Sequence, residues 1–530
     1  MVAYHTHAYR NVLREVAKAN AKPRSARNKD IALNFRAFFA ESGRSGDAPT
    51  FQQDMQNVLT FMRSQREYKA LLERYNPLID LTGEERIEAT ARRVGLNMPK
   101  MPDFQDKYLL NFKSSLRRSS QVQRTMVTAT ATQVFACDST SIAFSSEGDQ
   151  VVINSPETLG ALHTAASFLN DLHPVAFPTE TVYGLGAVAL NATAALKIFS
   201  TKGRPPDNPL IVHVSSRRML QSLLPHNYKL SRSYELLIEH FWPGPLTLLF
   251  PCDHSLIPDI ITAGQPTVAI RMPSHPVARA LIAITDAPLA APSANSSGKP
   301  SPTRAEHVLN DLNGKIPLIL DGGPCEVGLE STVVDGLHED GNIRILRPGG
   351  VTVEDITQVL VAGFSDAETP IPHILVHRRD YLDDALEQAP TTPGMKYRHY
   401  SPSVPVTLLR STSDVPLGIE PLSPSAFLED IKHVTPHSPD ALRVGLLMPS
   451  DSILMKSLIN DATIQWHEFP LGLVSEPAII ARRLFDGLLT LEREEVDLIL
   501  VEEVSEEKEG LAIMNRVKKA AGNTRWITIS

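Results

Sequence analysis

Cysteine is scarce in this sequence, with Cys137, Cys252 and Cys325 the three in 530 residues. They lie far apart, are odd in number and lack metal-ligand spacing. That argues against a disulfide framework and a zinc knuckle, and it fits a reducing compartment. Cys325 sits beside a motif discussed below and reads as an inert packing residue. Long apolar runs are missing too: no stretch approaches the roughly 18 residues that a membrane-crossing helix needs. Residues 1–20 hold no apolar core of the kind a secretory signal carries. The familiar nucleotide motifs are also absent, with no Walker A loop, no GxGxxG after a strand and no kinase signature. Ser/His/Asp and Cys/His nucleophile constellations are not found either. Any nucleotide bound here must be held by some other device.

What is present is an ordinary globular composition, 42% hydrophobic and 21% charged, long enough for about three or four domains. The formal charge of −8 hides a split. Residues 1–125 hold 22 basic and 13 acidic side chains, and the remainder holds 30 and 47. A net of +9 followed by −17 marks two regions that need separate reading. The 40 prolines cluster around short apolar runs, as in a loop-rich α/β chain.

The opening hundred residues read as helices. Val12, Leu13 and Val16 share a face within Tyr4–Asn20. Ile31, Phe35, Phe38 and Phe39 follow at helical spacing, then a longer helix from Asp54 stops at Asn76-Pro77. Thr82-Gly-Glu-Glu85 reads as a capping box for a fourth helix, ended by Gly95. Tyr9-Arg10, the block Arg66–Pro77 and the tail Ala91–Leu96 resemble the LYR-type mitochondrial assembly factors, in particular the one that assists ATP synthase F1 assembly. Position 8, a leucine in that family, is alanine here. The resemblance implies a binding adaptor for an F1 subunit with no chemistry of its own. Residues 101–150 read as a linker by composition, with polar, basic Ser114–Ser120 and low-complexity Thr125–Thr132.

From about 151 to 360 apolar strands alternate with helices, and polar groups recur where the strands end: Thr181, His213, Arg271, Ser293 and Ser331. In α/β sheets ligands bind at such ends. The glycines of Thr179–Gly186 allow tight turning and close backbone approach, and Thr303–Glu306 reads as a capping box. Lys202, Arg204, Arg271 and Arg347 put four cations into an otherwise acidic region, which suits an anionic ligand such as a triphosphate or a carboxylate. Singly each has a plain reading: Lys202 and Arg204 as C-terminal helix caps, His213 as a core histidine, Ser293 and Asn295 as turn formers.

Taken in order, Lys-x-Arg at 202–204, Ser-x-Asn at 293–295, the Thr179 loop and Glu330-Ser-Thr332 resemble the YrdC-type threonylcarbamoyl-AMP synthases over about residues 155–350. Thr392–Pro402 resembles the linker that long-form members carry, and 404–530, with helix Pro477–Leu491 and the closing block Glu509–Arg516, resembles their small Rossmann-like domain. The acidic run Glu502–Glu509 reads as a solvated face. The expected architecture is therefore an all-α segment (1–100), a linker (101–150), a twisted-sheet α/β synthase domain (151–360), a second linker (361–403) and a Rossmann-like C-terminal domain (404–530).

The family resemblance implies a nucleotidyltransferase that condenses L-threonine, bicarbonate or CO2, and ATP into threonylcarbamoyl-adenylate and pyrophosphate. The product feeds t6A modification of tRNA through a separate transferase complex. It further implies Lys202 and Arg204 as the catalytic cations on the phosphates. Asn208, Thr267, Ser293, Asn295, Ser301 and Arg347 complete the nucleotide site, with Tyr397, His399 and Tyr400 closing over it. Thr181, His213, Arg271, Ala291 and Ser331 form the threonine pocket, and Mg2+ rides on the triphosphate. The expected location is cytoplasmic, or mitochondrial through the basic segment. Three alternatives stay open: an RNA-binding protein gripping tRNA or double-stranded RNA, a carbamoyl-transfer protein of metallocentre maturation, and an assembly adaptor working through residues 1–100. The first would need a broad basic face with interleaved aromatics, and residues 126–530 are acidic. The second would bring acylphosphatase and zinc-finger modules, which the sequence does not show.

Overall fold

The computed structural model describes residues 131–145, 150–365, 370–383, 399–411, 415–416, 418–434 and 441–528. The chain divides into two compact units, Met1–Arg124 and Thr125–Ser530, and the described residues belong to the second. The helical expectations for 1–100 lie outside the described residues, as does Tyr397.

Two α/β domains make up the second unit. The first is built on strands β1 (Gln133–Ala136), β4 (Val175–Phe177), β5 (Gly184–Val188), β6 (Ile211–His213), β7 (Leu246–Pro251), β8 (Thr267–Arg271), β9 (Leu289–Ala290), β10 (Leu318–Asp321), β11 (Thr332–Asp335), β12 (Ile343–Arg347) and β13 (Ile374–Val376). A hairpin of β2 (Ile142–Phe144) and β3 (Val151–Ile153) stands apart from them. The eleven form one mixed sheet in the order β1-β10-β4-β5-β9-β6-β8-β7-β11-β12-β13. Both expected linkers are trimmed by this sheet. β1 pairs in parallel with β10, so the domain starts near residue 132 and not 151. β13 pairs with β12, so the sheet runs past 360. Composition hid both strands, because edge strands this short leave little apolar signal.

Local chemistry sets the helix ends. Helix Pro156–Asn170 starts on Ser155, whose hydroxyl accepts from Thr158 N–H, with proline at its first position. Helix Ala192–Lys202 ends at Gly203 with φ 62°, the left-handed geometry that favours glycine, leaving Lys202 as its last residue. Two expectations fail here. Gly184 and Gly186 lie inside β5 and not in a turn; a Cβ on Gly186 would meet the Phe177 ring at 2.5 Å, so close approach is their use. The helix after Thr303 is entered at Arg304 without a side-chain cap, so the capping box is not formed.

The second domain carries β14 (Val406–Arg410), β15 (Leu442–Met448), β16 (Ile464–Pro470), β17 (Leu498–Glu502) and β18 (Asn523–Trp526), all parallel, in the order β16-β15-β17-β14-β18. Central strands covered on both faces are apolar throughout, as in Val444–Met448. Helices Pro477–Arg493 and Glu509–Ala520 cover one face, and Pro424–Val434 and Ile453–Leu458 the other. The first face packs onto synthase-side Val182 and Leu329 and onto Tyr400. Gly328, at φ 76°, touches this helix layer: a Cβ there would lie 2.4 Å from Arg482 Cα. The expected α/β architecture and the Rossmann-like C-terminal domain are both observed.

Candidate active site

A cavity lies on the sheet face around β6 and β8, roofed from the side of the C-terminal domain. Its wall is formed by Thr179, Thr181, Val182, Gly184, Arg204, Ile211, His213, Arg271, Ala291, Pro292, Ser293, Glu330, Ser331, Arg347, His399 and Tyr400. Ile211 and His213 alternate onto one face, and His213 sits in register with Arg271 on the parallel neighbour. The site therefore lies over a sheet face as well as at strand ends.

Arg271 closes β8. Its Nη1 donates to Thr181 Oγ1 at 2.9 Å, Nε to the Gly244 carbonyl at 3.2 Å and Nη2 to Glu180 Oε1, in a buried ion pair. Glu180 Oε2 also accepts from Ser274 N–H. A guanidinium has five N–H donors and these bonds take three, which leaves capacity for a ligand carboxylate. Thr181 is fixed by Thr179, whose Oγ1 lies 2.8 Å away and donates to Val182 O. His213 Nδ1 lies 3.2 Å from Ile211 O, and burial, then Arg271, push its pKa down to about 3. It is thus neutral near pH 7, and burial disfavours the charged ring that a proton acceptor would become.

Across the cavity the cations gather. Arg347 Nη2 donates to Ser331 O at 2.8 Å and to Ser331 Oγ at 3.3 Å, while Ser331 Oγ meets Thr247 Oγ1 at 2.7 Å. Arg204 Nη2 donates to the Asn208 and Pro209 carbonyls at 3.1 and 2.9 Å, and its buried Nε finds no hydrogen-bond partner. Burial and then the neighbouring Arg347 lower the Arg204 pKa to about 10. Two buried like charges that act on each other suit an anionic ligand.

Not every expected residue reaches the wall. Lys202 stands just behind it and donates from Nζ to the Ser293 and Asn295 carbonyls; burial, then Arg204, hold its pKa well below the ordinary lysine value. Asn208 backs Arg204, Asn295 backs Lys202, and Ser301 donates to Glu330 Oε1 at 2.6 Å. Thr267 is set apart, at the far end of β8 from Arg271, roughly 13 Å along the strand. His399 and Tyr400 do line the cavity, and His399 Nε2 is buried without a hydrogen-bond partner. Cys325 is buried beside the loop with its thiol pKa pushed up by burial, so it stays protonated and inert.

Three charged residues escaped the sequence reading: Glu180, Glu330 and Arg516. Glu180 and Glu330 sit inside motifs quoted for their neighbours. Arg516 had a legible signal, since it falls in line with Ala512 and Ala520 on the buried face of an amphipathic helix, where a cation needs a reason. Among the described residues no three His, Cys, Asp or Glu side chains converge as a metal cage, and Glu330 on the wall and Glu180 beside Arg271 are each paired with arginine.

Similarity to known proteins follows the same layout. Family models match for telomere recombination (residues 167–349), for the C-terminal domain of threonylcarbamoyl-AMP synthase (351–522) and for a Complex1_LYR-like segment (6–97). A Schizosaccharomyces pombe protein named threonylcarbamoyl-AMP synthase is 44% identical over 414 residues, 71% of this chain and 91% of that protein. A Pyrococcus abyssi protein of the same name is 42% identical over 376 residues, 70% of this chain and 98% of that protein. The crystal structure of P. abyssi Sua5 complexed with L-threonine aligns with TM-score 0.58 and 38% identity, covering 75% of this chain and all of that one.

Proposed function

We infer the function from one premise: the chain belongs to the threonylcarbamoyl-AMP synthase family and is an enzyme. Its reaction, on this reading, joins L-threonine, CO2 or bicarbonate, and ATP into threonylcarbamoyl-adenylate with release of pyrophosphate, a nucleotidyl transfer. The observation that carries it is a single cavity holding a carboxylate fork, Arg271, opposite a crowded cation pair, Arg204 and Arg347.

Arg271 and Thr181 hold the threonine carboxylate, with His213, Ala291 and Ser331 shaping the space around the side chain and amine. Threonine's ammonium gives one proton to solvent, and the amine nitrogen bonds to the carbon of CO2 as one C–O π pair moves onto oxygen. A second N–H proton passes to solvent to leave a carbamate; bicarbonate would first take up a proton and lose water to supply the CO2. A carbamate oxygen then bonds to the α-phosphorus of ATP as the bond to the pyrophosphate oxygen breaks. Arg204 and Arg347, with Lys202 behind them, stabilise the charge that develops on the phosphates; no side-chain nucleophile takes part. Ser293, Asn295, Ser301 and Asn208 support that arrangement, and His399 with Tyr400 shields an adenylate that hydrolyses readily. Mg2+ enters as part of the ATP substrate, held by phosphate and water, because Glu330 and Glu180 are already paired. The product supplies tRNA t6A modification through a separate transferase.

Arg271→Ala tests this reading. It should abolish threonine-dependent pyrophosphate release, a loss on the order of a hundredfold or more, while ATP binding persists. Normal turnover in that variant would sink the assignment. For residues 1–100 the Complex1_LYR-like match supports a separate adaptor role toward an ATP synthase F1 subunit. Failure of the full chain to retain such a subunit in a pull-down would count against it.

A further inference from the structure

The structure assigns Arg516, in the C-terminal domain, a positioning role in the synthase site: it holds the Glu330 carboxylate away from the cations that receive the triphosphate. The assignment rests on the cavity being the ATP site.

Glu330 is an acidic group on the wall of a site that takes a polyanion, which at first sight is a fault. Its two oxygens are both occupied. Oε1 accepts from Ser301 Oγ at 2.6 Å, and Oε2 accepts from Arg516 Nε at 3.1 Å and Nη2 at 3.0 Å. Arg516 is fully buried, with 0% exposure, and is braced by donating from Nη1 to the Pro348 and Ala512 carbonyls. Pro348 directly follows Arg347, so the same guanidinium grips the chain on both sides of the phosphate-binding strand end. Its carbon also lies 5.8 Å from the Tyr400 ring centre.

Burial works against the Glu330 charge, but Arg516 and then Arg347 more than offset it, and the carboxylate stays ionised below its usual range. Glu330 also acts on Lys202. Without Arg516 the counter-charges left around Glu330 are Arg347 and Lys202, the cations assigned to ATP, together with Lys519 of the same helix. The carboxylate would turn to them and compete with the triphosphate. The C-terminal domain thus removes an internal competitor from the site.

Suppression separates this role from mere support of the fold. Calorimetric affinity for a non-hydrolysable ATP analogue would be measured on the full chain as wild type, Arg516→Met, Glu330→Gln and the double variant. Arg516→Met should weaken the analogue by about tenfold or more and raise KM for ATP, leaving KM for threonine in place. Glu330→Gln should bind the analogue more tightly than wild type. The double variant should recover to within about threefold of Glu330→Gln alone. Wild-type affinity in Arg516→Met, or a double variant as weak as Arg516→Met, would overturn the role. If Arg516→Met does not fold, Glu330→Gln decides: weaker analogue binding there overturns it. A wild-type chain that binds no analogue would instead overturn the ATP site itself.

Discussion

The two domains of the described unit bury polarity in opposite ways. In the C-terminal domain the described polar side chains that are buried come to Thr407, Ser452 and Arg516, and the buried stretches of its central strands are mostly apolar. The synthase domain buries Thr179, Glu180, Thr181, Lys202, Arg204, Asn208, His213, Arg271, Asn295, Ser301, Glu330, Ser331 and Arg347 around one cavity. Buried charge is costly unless paired or matched to a ligand, so the imbalance locates the chemistry in the first domain. It also isolates an exception. Of the five buried cations among the described residues, three line the cavity, Lys202 stands just behind its wall, and the fifth, Arg516, reaches Glu330 on that wall from the other domain. The second domain is a scaffold with one fully buried charged arm.

The largest test of that contrast removes a synthase cation outright. Arg271→Ala leaves Glu180 buried and uncompensated, so loss of turnover should come with loss of stability of about 3–5 kcal/mol. Arg271→Ala/Glu180→Gln should regain stability in denaturant titrations without regaining turnover. Recovery of both would mean that Arg271 serves the fold alone. Next in size, Lys202→Ala should cut ATP affinity on the order of a hundredfold with threonine affinity kept. Unchanged nucleotide binding by calorimetry would move Lys202 from ligand contact to support of the Ser293–Asn295 turn, where its Nζ now points.

All four cations read from the sequence, Lys202, Arg204, Arg271 and Arg347, turn out buried at one place. They were legible because each stands where an apolar run or a helix stops in an acidic region. β8 was legible over its full length for the same reason, as a short apolar run with a cation at its end. The family resemblance implied Thr267 in the nucleotide site, yet it opens β8 at the end away from the cavity; how far along its strand a residue lies from residues of other strands is not legible from sequence spacing. Edge strands β1 and β13 were lost in segments read as linkers, being short and little buried. Glu330 and Arg516 are separated by 186 positions, and their meeting depends on how two domains pack. Only the odd cation on the buried face of Glu509–Ala520 hinted at it.

A smaller effect follows from the histidines. Burial first, then nearby cations, lower His213 to about 3 and His399 to about 4 from an ordinary 6.5. Above pH 6.5 folded and unfolded chains both hold these rings neutral, and their contribution is fully present. As the pH falls below 6.5 the unfolded chain takes up protons that the folded chain refuses, so stability declines toward pH 3–4. Denaturant midpoints should fall across that window, and His399→Gln should flatten the fall. A midpoint independent of pH between 6.5 and 4 would show that the cavity admits enough water to charge both rings.

The smallest predicted effect concerns a second ion pair among those between the two domains. Arg304 meets Asp486 on helix Pro477–Arg493 at 3.0 Å, with Arg304 about half exposed, and His307 Nε2 stands 3.4 Å from the same carboxylate. Burial raises the Asp486 pKa, but the bonds from His307 and Arg304 prevail and bring it to about 2. A depressed carboxylate stabilises above its unfolded value and loses that contribution as the pH falls through the folded one, here between about 4 and 2. Partly exposed pairs contribute about 1 kcal/mol or less, because water already solvates both charges. Asp486→Asn should therefore shift the denaturation midpoint slightly, leave ATP affinity alone and show no suppression by Glu330→Gln. If it weakens ATP binding as much as Arg516→Met, then any loosening of the domain contact disturbs the site, and the charge on Glu330 is not what the C-terminal domain controls.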